Sequence, residues 1–66
     1  MRVIVNGIEK EFDEKINLQT LISKLGLDEK VMAAAVNMEI VKQDKWNEHM
    51  ISEADKIELL DFVGGG

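Results

Sequence analysis

Nothing in this chain can staple it: its 66 residues include no cysteine and a single histidine, His49, so neither a disulfide nor a structural metal is available as a support. A chain this short shields only about 60% of its unfolded surface on folding, which leaves little surplus stability. A packed apolar core must therefore hold the fold alone, and any function has to sit on its outside. The composition allows such a core, since 45% apolar and 32% charged residues suit a globule rather than a disordered chain.

The first twelve residues predict a hairpin. Val3 and Val5 alternate with Arg2, Ile4 and Asn6, and the Asn6-Gly7 pair that follows tolerates positive φ at both turn centres. The return strand runs from Ile8 to Phe12, with Ile8 and Phe12 pointing inward on alternation, and closes at Asp13-Glu14-Lys15. Asn17 then serves as an N-cap, because Leu18, Leu21, Ile22 and Leu25 follow at the spacing of one helical face. Gly26 can end that helix of about nine residues in the left-handed conformation, with Leu27 meeting Ile22 in a Schellman arrangement.

Residues 31–36 are apolar on both alternating faces, which as a strand implies cover on both sides. Helix stays open as the alternative for so alanine-rich a run. A turn and a short strand, Glu39-Ile40-Val41, come next. The stretch from Lys42 to Glu53 is expected to be mostly irregular, with one helical turn bringing Trp46 and Met50 to one side and Trp46 acting as a lid on the core. A last strand spans Lys56 to Val63. The order ββαββ gives an α+β fold with one helix on one face of a mixed sheet, and side-by-side first and last strands would run parallel in a grasp-like arrangement. The expected core is Val3, Val5, Ile8, Phe12, Leu18, Leu21, Ile22, Leu25, Val36, Ile57 and Leu59.

Charge and hydropathy narrow the possible partners. Thirteen acidic against eight basic residues leave a formal charge of −5, which repels nucleic-acid backbones and anionic membranes. The longest apolar run, Val31 to Val36, is too short to span a bilayer, and the N-terminal residues lack a signal-peptide pattern, so a soluble cytoplasmic protein is expected. Conventional catalysis finds few materials here: Ser23, Ser52 and Thr20 lack an evident base, and Asp44, Glu48 and His49 match no metal-ligand spacing. No catalytic residue, bound cofactor or metal site is expected.

The exception is the glycine run at positions 64–66. Three consecutive glycines cost backbone entropy in any ordered structure and have no place in a core. Without side chains they can thread a narrow channel, and they carry the Gly66 carboxylate roughly 10 Å beyond Val63 at full stretch. The chain thus divides into a domain over residues 1–63 and a flexible tail of Gly64, Gly65 and Gly66. If Val3, Val5, Ile57 and Leu59 face the helix, alternation turns Ile4, Leu60 and Phe62 to the opposite face, where an uncovered apolar cluster could receive a partner.

These pieces together resemble the ThiS family, the sulfur carriers of thiazole formation in thiamin biosynthesis. The likeness covers essentially the whole chain: Val5-Asn6-Gly7, Ala35-Val36-Asn37 with Glu39-Ile40-Val41 after it, Trp46, Asp55-Lys56-Ile57-Glu58 and the closing Gly65-Gly66. Met38 and Ala54 stand where glycine is usual in that pattern, and Lys42 where proline is common. If either turn needs positive φ, Met38 or Ala54 is strained. The resemblance implies a ubiquitin-like β-grasp whose Gly66 carboxylate is adenylated with ATP by an E1-like enzyme, converted to a thiocarboxylate with sulfur from a donor protein, and drawn on by thiazole synthase. Two other readings remain: the sulfur carrier of molybdopterin synthesis, which usually has a longer chain, and a non-covalent β-grasp binding module, for which the terminus is irrelevant.

Overall fold

The computed structural model describes residues 1–12 and 15–61. Strand β1 (Arg2–Val5) turns at Asn6-Gly7 into β2 (Ile8–Glu11), and both turn residues have positive φ, at 50° and 82°. That is the conformation whose twist suits a two-residue hairpin. Helix α1 (Leu18–Lys24) begins where expected, with the Asn17 side chain accepting the Thr20 N–H at 2.7 Å. It ends at Gly26, whose φ is 73°. The Gly26 N–H donates to the Ser23 carbonyl at 2.9 Å and the Leu27 N–H to the Ile22 carbonyl at 3.1 Å, the paired bonds of a Schellman motif. The seven helical residues and their two caps make up the expected nine-residue span.

Three more strands complete the sheet: β3 (Val31–Val36), β4 (Glu39–Val41) and β5 (Lys56–Asp61). Their order is β2-β1-β5-β3-β4, with β1 and β5 parallel at the centre and all other neighbours antiparallel. Residues 31–36 are therefore strand, not helix. The last strand is seen as far as Asp61; Phe62, Val63 and the boundary at residue 63 lie outside the described residues, as do Asp13 and Glu14.

One face of this sheet meets α1. Val3, Val5, Ile57, Leu59, Ala34 and Val36 pack there with Leu18, Leu21 and Ile22, and Phe12 and Leu25 are only partly buried against them. Two expectations about the core need correction. Ile8 lies opposite Val5 in register but is 61% exposed, because β2 is an edge strand whose four residues are all open to solvent. Residues 31–36 are not covered on both sides: Met32 is 52% exposed and Ala33 only half-buried, since a single helix covers one face of the sheet. A register shift between Val31 and Ala33 moves Val31 onto the core face that alternation alone would deny it.

The connection between β4 and β5 contributes more to the core than its composition suggests. A 3₁₀ turn spans Gln43–Lys45, ahead of the helical turn anticipated at Trp46 and Met50. Trp46 is buried as expected of a lid, but Met50 is not beside it under cover and stands 54% exposed. Its neighbour Ile51 is the buried residue, donating its N–H to the Ile16 carbonyl at 2.9 Å. Among the described residues no helix is long and apolar enough to cross a membrane.

Candidate functional site

The tail residues Gly64, Gly65 and Gly66, and Phe62 before them, lie outside the described residues. What is described of the candidate docking surface is the sheet face opposite α1. Register places Ile4 beside Lys56, Glu58 beside Ala35, Leu60 beside Ala33, and Ile40 beside Ala35. All of these residues alternate with Val3, Val5, Ile57, Leu59, Ala34 and Val36, so they share the face opposite α1, although Ala35 itself is buried.

Ile4 and Leu60 do share that face, but they are not neighbours. Ile4 lies level with Lys56, and Leu60 is four residues further along β5, about 13 Å away at roughly 3.3 Å per residue. Ile4 is half-buried, whereas Leu60 is 61% exposed. The residue that accompanies Leu60 is Ile40, which is 73% exposed; with Ala33, Ala35 and Glu58 the two line one shallow depression. Alternation along so short a strand as β4 gave no indication of which face Ile40 would take. The pairing of β4 with the far side of β3 decides it.

The rim of the face is charged. Arg2 and Glu9 form an ion pair at 2.8 Å on the β2 side, with both side chains well exposed, so the pair contributes little to stability. Among the described residues no group of three His, Cys, Asp or Glu side chains is placed to hold a metal ion. At the C-terminal end of β5 the described surface presents an apolar patch of Leu60 and Ile40 with Glu58 beside them.

A mixed five-stranded sheet with a parallel central pair, crossed on one face by a single helix, defines a ubiquitin-like β-grasp protein. The chain belongs to the ThiS family, whose model matches residues 3–66. It is similar to the crystal structure of a thiamine biosynthesis protein, ThiS, from Geobacter metallireducens, with a TM-score of 0.82 and 28% identity over the whole of both chains. It is 33% identical over 49 residues to the sulfur carrier protein ThiS of Bacillus subtilis, covering 74% of each chain. It is also 32% identical over 66 residues to a thiazole synthase of Paramagnetospirillum magneticum, and there it spans only 20% of the relative's length.

Proposed function

We propose that this chain is a sulfur carrier of thiamin biosynthesis whose reacting group is the α-carboxylate of Gly66. The observation that carries this reading is the family match, which runs through the last glycine and does not stop with the folded domain. The Gly66 carboxylate attacks the α-phosphorus of ATP in the site of an E1-like adenylating enzyme, and pyrophosphate leaves. A sulfur nucleophile at the sulfide level, brought by a sulfur-donor protein, then attacks the acyl carbon and AMP leaves. Sulfur now replaces one oxygen, and the thiocarboxylate passes it to thiazole synthase. The likeness to a protein of that name supports this last partner.

In this scheme the chain is a co-substrate, not an enzyme. It binds no cofactor of its own, and the ATP belongs to the activating partner. Gly64, Gly65 and Gly66 let the terminus enter a narrow channel, because a side chain at either Gly65 or Gly66 would crowd it. Ile4, Leu60 and Phe62 are assigned to docking, with Leu60 the best placed of the described residues.

Incubation with the cognate activating enzyme, ATP and a sulfur source should add the mass difference of sulfur for oxygen, localised to the C-terminal peptide. Appending one residue after Gly66 should abolish the shift. A shift that persists with the extended chain, or that maps to another residue, would overturn Gly66 as the reacting group, and no shift in the wild-type chain would favour a binding module.

A further inference from the structure

The β1–β2 turn reaches beyond its own hairpin. The Asn6 Oδ1 accepts the Leu59 N–H at 2.8 Å, and its Nδ2 donates to the Leu59 carbonyl at 3.2 Å. A carboxamide that exchanges both bonds with one residue's backbone reproduces a rung of a β-ladder. The backbone rungs between β1 and β5 are Ile4 with Lys56 and Val5 with Ile57, and the Asn6 N–H adds a bond to the Ile57 carbonyl at 2.9 Å. There β1 turns away into β2. The Asn6 side chain supplies one further rung, at Leu59, to a strand whose backbone neighbour on that flank has ended.

We propose that Asn6 is a positioning residue for the terminal carboxylate: by clamping Leu59 it fixes the direction in which β5 delivers the glycine tail to the activating enzyme. This rests on the carrier reading above. On the opposite flank β3 holds Leu59 and Leu60, but the register shift between Val31 and Ala33 interrupts that ladder just before Asp61. The clamp therefore secures the strand where its other support becomes irregular. Gly66 lies seven residues beyond Leu59 in the sequence, so a shift of β5 at Leu59 displaces the point from which the chain continues toward the carboxylate. Docking on the sheet face holds the body of the protein, and the clamp ties the root of the tail to that body.

A second asparagine provides the control. Asn37, at φ 52° in the β3–β4 turn, accepts the Lys56 N–H through Oδ1 and donates from Nδ2 to the Asp55 carboxylate, both at 2.9 Å. It secures the start of β5, away from the tail. Asp and Gly both tolerate the left-handed conformation, so Asn6→Asp and Asn6→Gly preserve the turn while removing the donor to Leu59 or the whole clamp.

The test is steady-state kinetics of ATP-dependent sulfur loading with the full chain as varied substrate, paired with amide exchange by NMR. Both Asn6 variants should lower kcat about tenfold with KM changed less than about twofold, a loss within the ~100-fold that a misplacement of about 1 Å can cause. Leu59 and Leu60 amides should exchange faster while Val3 and Ile57 keep their protection. Asn37→Gly, which keeps the left-handed turn and adds no charge beside Asp55, should leave kcat at the wild-type value. Unchanged kcat in Asn6→Asp, unchanged exchange at Leu59, or an equal kcat loss in Asn37→Gly would each overturn the assignment. Wild-type chain that takes up no sulfur would overturn the carrier reading itself, and this assignment with it.

Discussion

The indole Nε1 of Trp46 donates to the Val41 carbonyl at 2.8 Å, tying the irregular stretch after β4 back to the edge strand it has just left. Trp46 is 4% exposed and joins the core, so the polar edge of the indole finds its partner at the boundary of the apolar cluster. Trp46→Phe should keep most of the packing and leave the Val41 carbonyl without this donor. The expected loss is about 1–3 kcal/mol, read as a lower urea midpoint with an unchanged m-value.

Ala54 and Met38 occupy left-handed backbone, at φ 70° and 72°. Holding a side chain there costs about 1–2 kcal/mol, and replacing it with glycine returns roughly 0.4–1 kcal/mol of that to the flexibility of the unfolded chain. Ala54→Gly should therefore stabilise the protein by up to about 1 kcal/mol. The Ala54 N–H donates to the Arg2 carbonyl at 2.7 Å, and glycine keeps that donor. Met38→Gly should act in the same direction, and a lower melting temperature for both variants would contradict the strain argument.

Where local chemistry decides conformation, the sequence was readable. Asn6-Gly7 dictated a hairpin, Asn17 a helix start, Gly26 a helix end, and the apolar runs a grasp-like sheet. What alternation could not foresee were effects of the assembled sheet. Ile8 has the parity of a core residue, yet nothing covers the edge it occupies. Val31 has the wrong parity and is buried because the ladder shifts. Ile16 and Ile51 lie outside regular elements, where no periodicity marks them. Ile16 did carry a signal, since it precedes the Asn17 cap and Leu21 sits at the fourth helical position, the spacing of a hydrophobic staple, and both residues are in the core. At the candidate site, Leu60 was legible from alternation and Ile40 was not, because its face depends on strand pairing.

Leu21 and Ile8 offer a direct comparison of two aliphatic residues that the sequence placed in the same core. Leu21 is fully buried and Ile8 is mostly exposed. Leu21→Ala should cost about 2–5 kcal/mol, a large part of what a domain of this size has to lose. Ile8→Ala should stay within about 0.5 kcal/mol of wild type. Chemical denaturation of the two variants side by side measures the difference, and equal losses would mean that β2 is covered in solution.

Docking and chemistry should separate cleanly in this protein. Leu60 and Ile40 stand out from the uncovered face, and neither supports the core, so a charge placed there should leave folding nearly untouched. A partner that covers this patch must desolvate it, and Leu60→Asp would then place an unpaired carboxylate in a dry contact. Such a change should weaken binding to the activating enzyme by at least about 2 kcal/mol, roughly a thirtyfold rise in Kd. Ile40→Asp should behave alike because it lines the same depression, whereas Lys10→Ala on the exposed β2 edge should not change affinity. Removing Gly65 and Gly66 should do the reverse, abolishing sulfur loading while most of the affinity remains. Calorimetric titration of these variants against the enzyme, alongside the loading assay, distinguishes the two contributions. Equal affinity for wild type and Leu60→Asp would show that the partner binds elsewhere, and the patch would then be no more than the open side of a one-helix sheet.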